Sequence, residues 1–157
     1  MAVQSDYRYS LTVNGTTQFE VVRFVLKEHL SALFRLELDL ASFGSEPNFH
    51  SLIDHPATLT FWQGNETIRS VNGIITALNQ GETGFTRTRY HMVIEPSLCR
   101  AGLQTDLRIF QQQDSQKIIE TLLSKNQVSQ SQFHLQTPYW TREYCVQYRE
   151  TDLNFIQ

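Results

Sequence analysis

Up to Pro96 the chain is punctuated by turn signals at intervals of roughly ten residues, and the stretches between them favour β structure. About six strands joined by short Gly/Asn turns are the pattern of an antiparallel barrel or sandwich. The strongest local signal is Asn14-Gly15, which supplies the two positive-φ positions of a tight hairpin between Arg8–Val13 and Thr17–Leu26. The return strand is apolar on both parities, with Phe19, Val21 and Val25 on one and Val22, Phe24 and Leu26 on the other. That pattern predicts an inner strand covered on both faces. Leu33–Leu40 alternates cleanly, placing Phe34, Leu36, Leu38 and Leu40 inward and Arg35, Glu37 and Asp39 toward water.

Between Ser42 and Pro56, Pro47 followed by Phe49, Leu52 and Ile53 predicts one or two helical turns, which Pro56 stops. A second hairpin is expected from Ala57–Trp62, a turn at Gln63-Gly64-Asn65, and Thr67–Leu78, with Gly73 marking a bulge or a corner. A third turn at Gly81–Gly84 leads into Phe85–Glu95. The bend at Gly73 and the doubly apolar second strand both suit closure, which favours a barrel.

After Thr105 the character changes. Asp114 can cap a helix whose Ile118, Ile119, Leu122 and Leu123 form one apolar stripe ending near Asn126. Tyr139–Tyr148 then reads as a strand with Tyr144, Val146 and Tyr148 on one side, and Thr151 can cap a further helix in which Leu153 and Ile156 share a face. That helix has barely two turns before Gln157, which predicts a chain cut from a longer protein. The expected class is therefore mainly β with α (α+β). Residues 1–105 form an antiparallel β-barrel, and residues 106–157 form a helix-strand-helix segment that opens a second, truncated domain.

With 157 residues the chain can bury roughly 70% of its unfolded surface, and no disulfide or metal is needed to fold it. Its net charge of −3, without any basic block, argues against nucleic-acid binding. Two cysteines, Cys99 and Cys145, are too few for a disulfide scaffold and fit a reducing compartment. The N-terminus lacks a signal-peptide pattern and no run approaches the ~20 apolar residues of a membrane span. Synthesis and folding in the cytoplasm, with export only by a route that needs no signal peptide, are expected.

The chemistry-bearing residues form no enzyme signature. His50 and His55 are spaced for neither a helical metal pair nor a finger, and His29, His91 and His134 stand singly. Cys145 lies in the apolar strand EYCVQY, where burial makes a thiol inert. Glu37 and Asp39 share a strand face about 7 Å apart, a separation that inverting glycosidases use, but every amphipathic strand presents such pairs. No GxSxG, HExxH, P-loop or GxGxxG occurs. Phe110, Tyr139, Trp140, Tyr144, Tyr148 and Phe155 concentrate aromatic surface in the last third, as core or as an interface. A small-molecule or glycan-binding barrel using Tyr and Trp as its platform is the alternative function that this composition allows.

Six segments in order resemble one family. FVLKEHLSALFRLELDLAS, LIDHPATLTF, NGIITAL, YHMVIEPSL, LRIFQQQDSQKIIETLL and YCVQYRETDLNFIQ are similar to the N-terminal part of VgrG, the spike protein of type VI secretion systems. The family usually continues past the last motif with an Arg-Leu and an acidic run. The resemblance implies a domain like the baseplate hub of contractile-tailed phages, with two related barrels per subunit. Three subunits then present a pseudo-sixfold face to the tube protein Hcp, below a neck and a needle tipped by a PAAR protein. The implied function is mechanical: a homotrimer capping the tube among baseplate components, carrying effectors and secreted by the type VI apparatus. No catalytic residue, metal or cofactor is implied. The motif positions Leu30, Ser31, Arg108, Phe110, Gln111, Tyr148, Glu150, Asp152 and Phe155 carry structural roles. Phe110 and Phe155 are expected as core or interface anchors, Asp152 with Thr151 at the helix start, and Arg108 and Glu150 as partners of each other.

Overall fold

The computed structural model describes residues 7–16, 19–43, 48–129, 131–137 and 139–157. It divides into two compact units, Met1–Pro96 and Ser97–Gln157. The first is a six-stranded antiparallel sheet built from β1 (Tyr7–Val13), β2 (Glu20–Lys27), β3 (Arg35–Ser42), β4 (Pro56–Gln63), β5 (Glu66–Thr83) and β6 (Thr88–Glu95), in the order β1-β4-β5-β6-β3-β2. The sheet curls around Leu11, Leu36, Leu38, Leu59, Ile75, Met92 and Ile94, each fully buried. It is a half-barrel whose end strands meet through side chains, with the Tyr9 and Phe24 rings 5.0 Å apart edge to face.

The Asn14-Gly15 turn forms as expected, at φ 49° and 76°, and Val13 and Thr16 exchange both backbone hydrogen bonds across it. The hairpin beyond it does not, because β1 pairs with β4 and β2 with β3. A two-residue turn sets only its own dihedrals, whereas Leu11 opposite Leu59 and Val13 opposite Ala57 bury four side chains together. Nor is β2 an inner strand: it ends the sheet, and Val22 is exposed. Its two apolar parities have another cause. A bulge between Val21 and Arg23 shifts the alternation by one, so Phe19 and Val21 face the core before it and Phe24 and Leu26 after it. Thr17 and Gln18, also assigned to that strand, lie outside the described residues.

Leu36, Leu38 and Leu40 point inward as the alternation predicts. The turn expected near Phe49 is a short 3-10 turn, Phe49–Ser51, capped by the Asn48 side chain accepting from the His50 amide at 3.1 Å. Its predicted start at Pro47 lies outside the described residues. Gly73 is a corner: up to Ile74 β5 pairs with β4, and from Ile74 onward it pairs with β6. A Cβ there would strike the Glu95 carbonyl and lie 2.7 Å from Ile94 Cγ2. The third turn comes later than expected, since a bulge between Gln80 and Thr83 carries β5 past Gly81. The Gly84 amide donates to the Arg87 carbonyl at 2.9 Å, and Phe85 stands in the turn, in solvent.

The second unit contains a 3-10 segment, Ser97–Gly102, and a two-stranded ribbon of β7 (Thr105–Gln113) and β8 (Arg142–Thr151) with α1 (Ser115–Lys125) and α2 (Asp152–Ile156). Asp114 caps α1, accepting from the Lys117 amide at 2.8 Å, and the helix ends at Asn126. β8 begins at Arg142 rather than Tyr139 because its partner β7 runs out at Gln113, opposite Arg142. β7 itself has no counterpart in the sequence expectations. Phe110 stacks on Phe155 at 5.8 Å and joins Ile118, Leu122, Cys145 and Ile156 in a small core.

A candidate assembly face

The β7–β8 ribbon carries most of the family-motif positions, and its two faces differ in kind. Arg108 opposite Gln147 and Phe110 opposite Cys145 form the inner row, turned toward the helices. On the outer row Leu107 faces Tyr148, Ile109 faces Val146 and Gln111 faces Tyr144. Those five apolar side chains are 44–65% exposed. The Arg149 guanidinium lies over the Tyr148 ring at 5.6 Å. Five exposed apolar side chains on one ribbon face make the kind of surface that a partner can cover.

Behind the inner row sits a charge cluster. Asp152, only 2% exposed, accepts from Gln147 Nε2 and Asn126 Nδ2, each at 2.8 Å, and from Lys125 Nζ at 3.1 Å. Arg108 stands 3.8 Å from the same carboxylate and donates to Asp106, which also receives Lys125 at 3.2 Å. Two acids and two bases thus neutralise one another around the one buried member, Asp152. The Arg108 guanidinium, aided by the Leu107 amide, holds the Asp106 carboxyl below its ordinary value. Thr151 caps α2, accepting from the Asn154 amide at 3.1 Å, so Asp152 begins that helix.

Arg108 therefore does not pair with Glu150. Arg149, at φ 50°, is the extra residue of a bulge, which puts Glu150 opposite Asp106 and Arg108 opposite Gln147. Arg108 consequently reaches the acids at 106 and 152. Asp106, Lys125, Asn126 and Gln147 were not foreseen as members of this cluster. The one signal available was an acid and a base two apart, Asp106 and Arg108, on the strand face that carries Phe110.

The remaining candidates are scattered. Leu30 is 98% exposed and Ser31 adopts φ 56° in the turn between β2 and β3. Glu37 binds Arg35 at 2.9 Å and lies 3.8 Å from Lys27, and Asp39 pairs with His91 at 3.0 Å. The Arg35 hydrogen bond pulls the Glu37 carboxyl below its ordinary value, the opposite of what a general acid needs. His55 Nδ1 sits 2.9 Å from the Ile53 carbonyl. Among the described residues no three His, Cys, Asp or Glu side chains gather as metal ligands. Cys99 and Cys145 are half-buried and not joined in a disulfide. Trp140 is 91% exposed.

The fold agrees with what the chain is similar to. The profile of the phage tail baseplate hub (GPD) family matches residues 27–157, and the chain belongs to that family. It is 38% identical over 150 residues to the type VI secretion system spike protein VgrG2a of Pseudomonas aeruginosa, covering 95% of this chain and 18% of the relative. It is 39% identical over 123 residues to the spike protein VgrG3 of Vibrio cholerae, covering 78% of this chain and 12% of the relative. The chain thus spans less than a fifth of the length of either. Among solved structures it superposes with a TM-score of 0.81, at 24% identity, on an Escherichia coli protein described as a type VI secretion component with structural similarity to the phage T4 tail proteins gp27 and gp5. That match covers 93% of this chain and 41% of the other. A 43 kDa prophage tail protein from Shewanella oneidensis gives a TM-score of 0.65 at 9% identity, covering 96% of this chain and 46% of that one. Among the described residues no helix is long and apolar enough to cross a membrane.

Proposed function

We propose that the chain serves as a hub segment of a type VI secretion spike: within a homotrimer it helps to cap the Hcp tube, and the assembled spike delivers effectors into target cells. In this reading its work is mechanical and involves no catalysis. The spike meets baseplate components, carries a PAAR tip through other regions, and leaves the cell through the type VI apparatus. The observation that carries the proposal is the outward apolar row of the β7–β8 ribbon in a chain similar to named spike proteins. An enzyme site needs convergent polar groups in a cleft, whereas an assembly component needs surface to be covered. The direct test holds the chain as a trimer on a C-terminal trimerising coiled coil and mixes it with Hcp tubes. Electron microscopy is expected to show density capping one end of the tubes. Tubes with bare ends at saturating trimer would overturn the proposal.

A further inference from the structure

The first unit contains six arginines, and they divide into two groups. Arg8 lies over the Trp62 ring at 5.1 Å, Arg35 binds Glu37 and Glu95, and Arg69 binds Glu28. The other three, Arg23, Arg87 and Arg89, have no such partner among the described residues, and all three line one cleft of about 520 Å³. They arrive from separate elements: Arg23 from β2, Arg89 from β6 and Arg87 from the turn between β5 and β6. Among the described residues, the arginines of the unit without such a partner thus share one opening, in a chain of net charge −3.

The cleft lies on the outer face of the sheet. Arg23 stands opposite Asp39, Asp39 opposite His91, and Arg89 opposite Ala41 one row along. Of the two acids that line it, Asp39 is already engaged by His91 at 3.0 Å, which leaves Glu82 against three guanidinium groups. Val22, exposed beside Arg23, adds an apolar rim, and the lining crosses β2, β3, β6 and β5, a span that suits an extended ligand.

We infer that this cleft binds an acidic, extended peptide segment of a protein partner. Guanidinium groups match carboxylates in pairs, and exposed pairs are individually weak, so the ligand must bring several carboxylates at once. Glu82 and Asp39 disfavour a dense polyanion such as nucleic acid, while a chain that alternates carboxylate and apolar side chains can pass them and use Val22. The three guanidinium groups stand on separate elements, which suits several spaced carboxylates better than one phosphate. Peptide binding is read on the chain alone, without Hcp tubes, so its failure and a failure of tube capping are distinguishable.

The probe is a short fluorescein-labelled peptide alternating Glu and Val, titrated with the full chain and followed by anisotropy, beside a Lys/Val peptide of equal length. The expected result is saturable binding of the acidic peptide alone, which weakens as salt rises to physiological strength. The R23Q/R87Q/R89Q variant should lose about tenfold or more in affinity, each single substitution less, and R69Q nothing. Equal binding by the wild type and the triple variant, whose thermal unfolding must match, would overturn the inference. So would no binding at all, or displacement of the peptide by single-stranded DNA or inorganic phosphate at lower concentration than by unlabelled peptide.

Discussion

The two units solve the problem of burial in opposite ways. The half-barrel gathers fifteen buried apolar residues into one cluster and keeps its charges outside, where Arg35, Glu37 and Glu95 pair in water. The ribbon unit has three buried residues in its cluster, holds a carboxylate almost wholly inside, and turns Leu107, Ile109, Val146 and two tyrosines outward. In the first unit the exposed large apolar side chains, such as Val22, Leu30, Ile68 and Phe85, come from separate strands and turns. In the second the exposed apolar side chains of the ribbon share one face, and a neutral network of two acids and two bases ties its elements together. A component of a larger assembly is expected to look like this where it meets its neighbours.

The comparison breaks first at Asp152. Its replacement by Ala leaves Lys125 and Arg108 short of their buried partner and should cost about 3–5 kcal/mol, read as collapse of hydrogen-exchange protection in the second unit while the half-barrel keeps its own. In the first unit the matching loss is apolar: Leu38→Ala, fully buried, should cost about 2–5 kcal/mol in denaturant unfolding, and no charge substitution on its surface should approach that. Gly73→Ala sharpens the contrast in packing, since the added methyl meets the Glu95 carbonyl and Ile94, for a cost of about 1–3 kcal/mol. Asp114→Ala removes the cap of α1 and should lower stability by about 1 kcal/mol.

The network also predicts a pH dependence. The Asp106 carboxyl is held below its ordinary value of 3.8 by Arg108, so the folded state binds its proton less readily than the unfolded chain does. Its contribution is therefore present at neutral pH and lost as pH falls through and below that value. The melting temperatures of wild type and Asp106→Asn should differ at pH 7 and converge on acidification; a gap that widens in acid would contradict the assignment. Because Arg108 reaches Asp106 and Asp152, combining Arg108→Glu with Glu150→Arg should recover nothing beyond the sum of the single changes.

Much of this was legible in the residues. The alternation at Leu36, Leu38 and Leu40 announced β3 and its buried face, and Asp114 and Thr151 announced both helix starts. What stayed hidden was whatever depended on a single inserted residue or on a distant partner. The bulge between Val21 and Arg23 made an end strand look doubly buried, and the bulge at Arg149 moved Glu150 away from Arg108. The Asn14-Gly15 turn was readable, but the strands it joins take their partners from the core. β7 went unseen because Ile109 and Phe110 stand side by side, one on each face, and Gln111–Gln113 follow without an apolar residue, so the alternation is short. The Asp152 cluster likewise joins groups from β7, α1 and β8 that only the fold brings together.

The central claim is that the apolar row of the ribbon lies outside this chain's own core. Replacing Leu107, Ile109 and Val146 together with Thr keeps the strand propensity and removes the row. The account predicts that denaturant unfolding of the variant chain stays within about 1.5 kcal/mol of the wild type, about 0.5 kcal/mol for each of three surface positions. A loss approaching that of Leu38→Ala would mean that the row is core after all, and the account of the second unit would be wrong.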